Sequence, residues 1–226
     1  MQAGLDVELL RARYGLRGVS LRARRGELVA IVGPNGAGKT TLLECIAGLR
    51  SITGGAVRWD DRPIESLRER AAVIDYMPDE VMLADEMPIA LALGLDDAAP
   101  IVAALDAAAL LRARARELSR GEAKRVQLAA ALSSTKPLLL LDEPFGAFDP
   151  RQLRAVMPVV RDAARDRAVL VTVHQMRTAE LVADRVVLLA DGRAIADGSI
   201  DELRARVVLP DAPFDDVFLA LLEAPR

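Results

Sequence analysis

Eight consecutive residues, Gly33-Pro34-Asn35-Gly36-Ala37-Gly38-Lys39-Thr40, match the pattern G-x-x-x-x-G-K-[ST]. The chemistry of this spacing is phosphate binding. Glycines let successive backbone N–H groups converge on an anion with no β-carbon in the way. A helix that opens on the loop adds the positive end of its dipole. Lys39 is then placed to reach the β- and γ-phosphates of a nucleoside triphosphate, and the Thr40 hydroxyl to bind Mg²⁺. Gly33, Asn35, Gly36, Ala37, Gly38, Lys39, Thr40 and Thr41 form the candidate ATP-binding set. On its own the pattern fits kinases, GTPases, helicases, motors and transporters alike.

A second pair of chemical groups follows a run of four leucines, at Asp142-Glu143. The C-terminal ends of strands in α/β sheets face the ligand crevice. Asp142 is placed to hold Mg²⁺ through its hydration shell, and Glu143 to orient and deprotonate an attacking water. Ser119-Arg120-Gly121-Glu122 has the serine and glutamate spacing of a helix capping box, which accounts for it structurally without further function.

These groups need elements to position them. Residues 7–10 and 19–23 alternate like short antiparallel strands. The nearly all-apolar run 27–32 reads as a strand buried on both faces, and a helix over 41–47 follows the glycine loop. Further strands are expected at 56–59, 72–76, 138–141, 169–173 and 186–189, with helices near 151–165 and 176–183. Residues from about 80 to 133 turn rich in alanine and leucine, with Pro88 and Pro100 at helix starts. The expected fold is α/β, a mostly parallel sheet with a small antiparallel β subdomain and a compact helical insert. Its core takes in about 1–79 and 134–206, its helical part about 80–133, and a tail helix lies in 207–226.

The 226 residues are 52% hydrophobic and 28% charged, as in a globular chain. A formal charge of -3 gives no electrostatic reason to expect nucleic acid as a partner. The arginines within 112–116 read as a solvated helix face. One cysteine, Cys45, rules out a disulfide framework and a cysteine-built metal site, and suits a reducing cytoplasm. No secretory leader is legible at the start. No apolar run approaches the roughly 20 residues that span a bilayer.

Taken together, these motifs closely resemble the ATP-binding subunits of ABC (ATP-binding cassette) transporters. Leu118-Ser119-Arg120-Gly121-Glu122 resembles the LSGGQ signature, 80 residues after Lys39 and directly before the two-carboxylate strand. Gly146-Ala147-Phe148-Asp149 resembles the D-loop, and His174, the one histidine of the chain, the switch histidine. The resemblance implies ATP and Mg²⁺ as cofactors and a head-to-tail pair of subunits. Ser119 and Gly121 of one subunit would then face the γ-phosphate held by Lys39 of the other. It further implies that His174 steadies the γ-phosphate, that Tyr14 stacks on adenine, and that a separate transmembrane permease receives the work. Such a subunit would lie in the cytoplasm, against the membrane through that permease.

Three departures stand out. Arg120 and Glu122 replace glycine and glutamine in the signature, and Asp79 stands where the family has a glutamine that contacts Mg²⁺. Asp79 could bind the cation through oxygen, with a shorter reach. The helical insert is compact, with 38 residues between Asp79 and Leu118. The ending around Phe214-Asp215-Asp216-Val217-Phe218-Leu219 resembles the LEDVFL terminus of exporter subunits, which points to export. The rival within the family is a soluble ATPase of an assembly system, such as iron–sulfur cluster assembly.

Overall fold

The computed structural model describes residues 4–80, 86–96 and 100–224. Two sheets organise it. Strands β1 (Gly4–Ala12), β2 (Leu16–Arg24), β4 (Gly54–Trp59) and β5 (Arg62–Pro63) form an antiparallel sheet in the order β2-β1-β4-β5. Strand β3 (Leu28–Val32) lies instead at the centre of a six-stranded sheet. Its neighbours are β6 (Ile74–Met77), β7 (Leu138–Leu141), β8 (Ala168–Val173), β9 (Arg185–Ala190) and β10 (Arg193–Gly198), in the order β10-β9-β3-β8-β7-β6. Only the β9–β10 hairpin in this sheet is antiparallel.

The apolar runs are buried throughout because each strand faces a different core on each side. Leu28, Ala30 and Val32 of β3 join Leu139, Leu141, Val169, Val171, Val186 and Leu188 in one core. Val29 and Ile31, with Leu138, Leu140, Leu170, Val187 and Leu189, join the other. Each buried leucine or isoleucine contributes about 1.5–3 kcal/mol relative to an exposed one. The second core is closed by the antiparallel sheet and by α1 (Lys39–Ala47), whose Leu42, Leu43, Cys45 and Ile46 are fully buried. Burial raises the pKa of the Cys45 thiol.

Helix α2 (Leu67–Val73) fastens α1 from behind. Arg70 of α2 is 5% exposed and donates from one nitrogen to the carbonyls of Cys45 and Ile46 at 2.5 and 2.7 Å. These are carbonyls of the last turn of α1, which a cation satisfies well. The strand expected at 72–76 is therefore corrected: residues 72 and 73 are helical and the strand starts at Ile74. Ser66 and Glu69 close a capping box that starts α2 and carries the helix through those positions.

The first core is covered by α5 (Arg120–Ser133), α6 (Pro150–Ala164) and α7 (Met176–Val182), after two short helices, α3 (Ile89–Leu93) and α4 (Pro100–Ala104). Two 3₁₀ turns, Ala108–Arg112 and Ala115–Glu117, lead into α5. The arginines of 112–116 are exposed as expected, on two 3₁₀ turns instead of one helix, and Arg114 and Arg116 both pair with Glu86 across the chain. Helices α8 (Ile200–Arg206) and α9 (Phe214–Glu223) end the chain, and α9 buries Phe214, Val217 and Phe218 at helical spacing.

Candidate active site

The glycine loop joins β3 to α1, as its sequence requires, and its glycines are held by close backbone approach. A β-carbon on Gly33 would lie 2.0 Å from the Leu189 carbonyl oxygen, and one on Gly38 2.3 Å from that of Gly15. Gly36 and Gly38 also have φ of 80° and 102°, where other residues are strained. The Ala37 N–H donates to Pro34 O, and the Gly192 N–H donates to Ala37 O, so the β9–β10 turn supports the loop from below. Lys39 is 7% exposed and donates to Gly33 O at 2.8 Å. Burial lowers its pKa, against the pull of Glu143 and Asp142. Thr40 and Asn35 are exposed, Thr41 partly so.

Strand β7 delivers the two carboxylates. Asp142 is fully buried, its N–H donating to Met77 O at 2.8 Å and its Oδ1 accepting from the Thr172 hydroxyl. The Glu143 N–H donates to the same Thr172 Oγ1 at 2.9 Å. Thr172 thus links both acidic residues to β8. Glu143 has φ 48°, a left-handed conformation that costs an ordinary residue roughly 1–2 kcal/mol and survives only where the surroundings enforce it.

His174 stands directly over this pair. Its Nδ1 lies 3.4 Å from Lys39 Nζ and its Nε2 3.2 Å from Glu143 Oε1, so one ring touches the cation and the candidate base together. The second distance is a polar contact without hydrogen-bond alignment, since Glu143 Oε1 is buried with no hydrogen-bond donor. Burial, with the Asp142 and Asp79 charges, pushes the Glu143 carboxyl up to about 7 against the opposing effect of Lys39. Burial and Lys39 hold His174 below its usual value, hence neutral at physiological pH. A carboxyl near 7 is poised to take a proton from water.

The donor set fits a hard cation. Burial and the Asp142 charge raise the pKa of the Tyr76 hydroxyl, which lies beside this carboxylate. Asp142 Oδ2 is buried without an aligned hydrogen-bond partner, and an oxygen so placed is expensive unless a cation or its water meets it. Asp142 and Thr40 would supply the protein oxygens. No cluster of three or more acidic, histidine or cysteine ligands occurs among the described residues. Phosphate oxygens and water would therefore complete the shell around Mg²⁺, as this ion prefers.

The remaining residues are spread around this centre. Tyr14 is 69% exposed in the β1–β2 turn, with the Arg13 guanidinium 5.4 Å above its ring. That turn packs on Gly38 and Thr41 through Gly15. Ser119 caps α5, its exposed hydroxyl engaged with Glu122, and Gly121 lies in the first turn. Asp79 Oδ1 accepts from Lys124 at 3.0 Å. Sequence reasoning missed Thr172 and Lys124. Thr172 was hidden in the apolar run 168–173, and Lys124 lies 45 positions from its partner.

Comparison with known proteins agrees with this geometry. The "ABC transporter" family model matches residues 16–146. The molybdenum import ATP-binding protein ModC of Aromatoleum aromaticum is 35% identical over 95% of this chain, which spans 63% of that protein's length. The lipopolysaccharide export system ATP-binding protein LptB of Acidithiobacillus ferridurans is 31% identical, over 90% of this chain and 91% of LptB. A solved ATP-binding subunit of an ABC transporter superposes with a TM-score of 0.86 at 28% identity, over 97% of this chain and 99% of that one. The parallel sheet, the glycine loop and these matches lead to one assignment: the chain belongs to the ABC transporter family as an ATP-binding domain, in a class of ATPases.

Proposed function

We propose that this chain binds ATP with Mg²⁺ and hydrolyses it as one of two copies facing head to tail, driving a separate transmembrane permease. The observation that carries the reading is the meeting of Lys39, Glu143 and His174 beside the buried carboxylate of Asp142. In this reading Lys39 leaves its carbonyl partners for the β- and γ-phosphates, Thr40 and Asp142 serve the cation, and Mg²⁺ supplies charge neutralisation when bound. Glu143 orients the water and takes its proton, and neutral His174 steadies the γ-phosphate oxygens as charge develops. Tyr14 offers an exposed ring beside the loop for the adenine. Ser119 and Gly121, exposed or partly exposed at the start of α5, complete the site of the facing copy. Two equivalent composite sites follow from a twofold pair.

No helix among the described residues is long and apolar enough to cross a membrane, and the reading assigns that part to the permease, with this chain on its cytoplasmic side. The exporter-like ending and the export name of LptB support export as the finer direction, while ModC and relatives named for hemin, cobalamin and phosphonate import carry import names. Identifying the membrane protein that co-purifies with the chain, and assaying transport in oriented vesicles, decides the direction.

The test is Glu143→Gln. Turnover should fall by about 10² to 10⁴-fold, while ATP binding persists and analytical ultracentrifugation shows a dimer with ATP. Wild-type turnover would remove Glu143 from the role of base. An ATP-saturated variant that sediments as a monomer would remove the head-to-tail pair.

A further inference from the structure

Building on the ATPase reading, we propose that Lys124 is a positioning residue for Glu143, and that Asp79 serves as its counter-ion. Lys124 sits at the start of the second turn of α5, five positions after Ser119, and is 4% exposed. A buried ammonium is costly unless each proton finds an acceptor and its charge a partner. Three acceptors surround it: Asp79 O at 2.6 Å, Asp79 Oδ1 at 3.0 Å and Asp142 O at 3.3 Å. These match the three donors of a lysine.

The third acceptor gives the contact its consequence. Asp142 O belongs to the peptide whose N–H is that of Glu143, and that N–H donates to Thr172 Oγ1. The peptide is therefore gripped at both ends, by α5 through Lys124 and by β8 through Thr172. This grip fixes one side of the Glu143 φ 48° torsion, and the Gly146 N–H, donating to Glu143 O at 3.4 Å, holds the other. One turn further along α5, the Gln127 side chain donates to Pro78 O at 3.2 Å. Helix α5 thus holds the 78–79 loop at two points and the catalytic peptide at a third. A shift of the helix that begins at Ser119 reaches all of them together.

The same geometry accounts for the departure at position 79. An aspartate stands where the family resemblance leads one to expect glutamine, and a buried lysine faces it. Glutamine there would leave that ammonium without a counter-charge. Asp79 Oδ1 is engaged by Lys124 and not held open for a cation.

The experiment compares Lys124→Met, Asp79→Asn and the double variant in the full chain, by steady-state ATPase assay and by titration with a non-hydrolysable ATP analogue. Lys124→Met should lower kcat about 10 to 100-fold, by misplacing a catalytic group, and leave the analogue Kd within twofold. Asp79 is half exposed, so Asp79→Asn should fold; it should lower kcat about tenfold with the Mg²⁺ concentration for half-maximal rate unchanged. The two losses should overlap, the second change adding less than twofold to the first. Additive losses, an unaffected Lys124→Met, or a Kd that rises in step with the fall in kcat would each overturn the proposal. So would a several-fold higher Mg²⁺ requirement in Asp79→Asn, which would make Asp79 a metal ligand. Should Lys124→Met fail to fold, Asp79→Asn and its Mg²⁺ titration decide alone. A parent chain without turnover overturns the ATPase reading and this proposal with it, whereas parent turnover with unaffected variants overturns only the proposal.

Discussion

The two loops proposed to hold the nucleotide are built in opposite ways. Residues 33–40 are fixed by backbone: Gly33 and Gly38 lie against carbonyls of other segments, and Lys39 is buried against its own loop. Residues 119–122 rest on a capping box at the start of α5, with the Ser119 hydroxyl exposed and bonded to Glu122. The first loop is finished within one chain and needs only phosphate to replace the carbonyls on Lys39. The second lies exposed or partly exposed at the start of α5, as the proposed pairing with a second copy requires. A cradle that must select phosphate gains from rigidity, and a surface that must part after each cycle gains from exposure.

The largest effect that could break this contrast is expected at Lys39. Lys39→Ala should weaken ATP binding by about 30 to 10³-fold, as for loss of a buried charged partner. Calorimetric titration giving a Kd within threefold of the parent would deny the first loop its role. Next comes Glu143, buried and raised to about 7. Its folded pKa lies above the unfolded one, so its contribution to stability is full below about 4.5 and is lost as pH rises through 7. Glu143→Gln should therefore be more stable than the parent at pH 8, by on the order of 2 kcal/mol, with the gap closing at pH 5. Denaturant melts at both values check it, and equal gaps would place the carboxyl outside a desolvated site. For the same reason kcat/KM should rise with pH through about 7, as the base of the free enzyme ionises. The smallest effect concerns Ser119. Ser119→Ala should lower stability by about 1 kcal/mol through the lost cap, keep the ATP affinity of the single chain, and lose turnover of the pair. Weakened binding to the isolated chain would merge the two loops into one site and dissolve the contrast.

Much of this site is legible in the sequence because its demands are local. The glycine spacing, the four-leucine strand and the capping serine each declare themselves within a few residues. Where the decisive contact is distant, the sequence is silent. Thr172 reads as one more β-branched residue of a buried strand until Asp142 is seen against it. Lys124 reads as a surface lysine until Asp79 and the Asp142 carbonyl close around it. Among the elements, 28–32, 138–141 and the tail helix are legible from apolar spacing, as the structure places them. Helix α2 is not, since its Ser66 and Glu69 box lies among turn-like residues and overrides the strand-like texture of 72–76. The helical insert is also more broken than its composition suggests. Gly94 ends α3 in a left-handed turn, and Asp106 at φ 50° follows soon after α4.

The burial of Cys45 under α1 bears on how copies of this chain can meet. With the chain's one thiol sealed in its interior, two folded copies paired as proposed would have no thiol to exchange across their contact. An oxidising episode would then find nothing to weld, and the proposed association would rest on non-covalent forces.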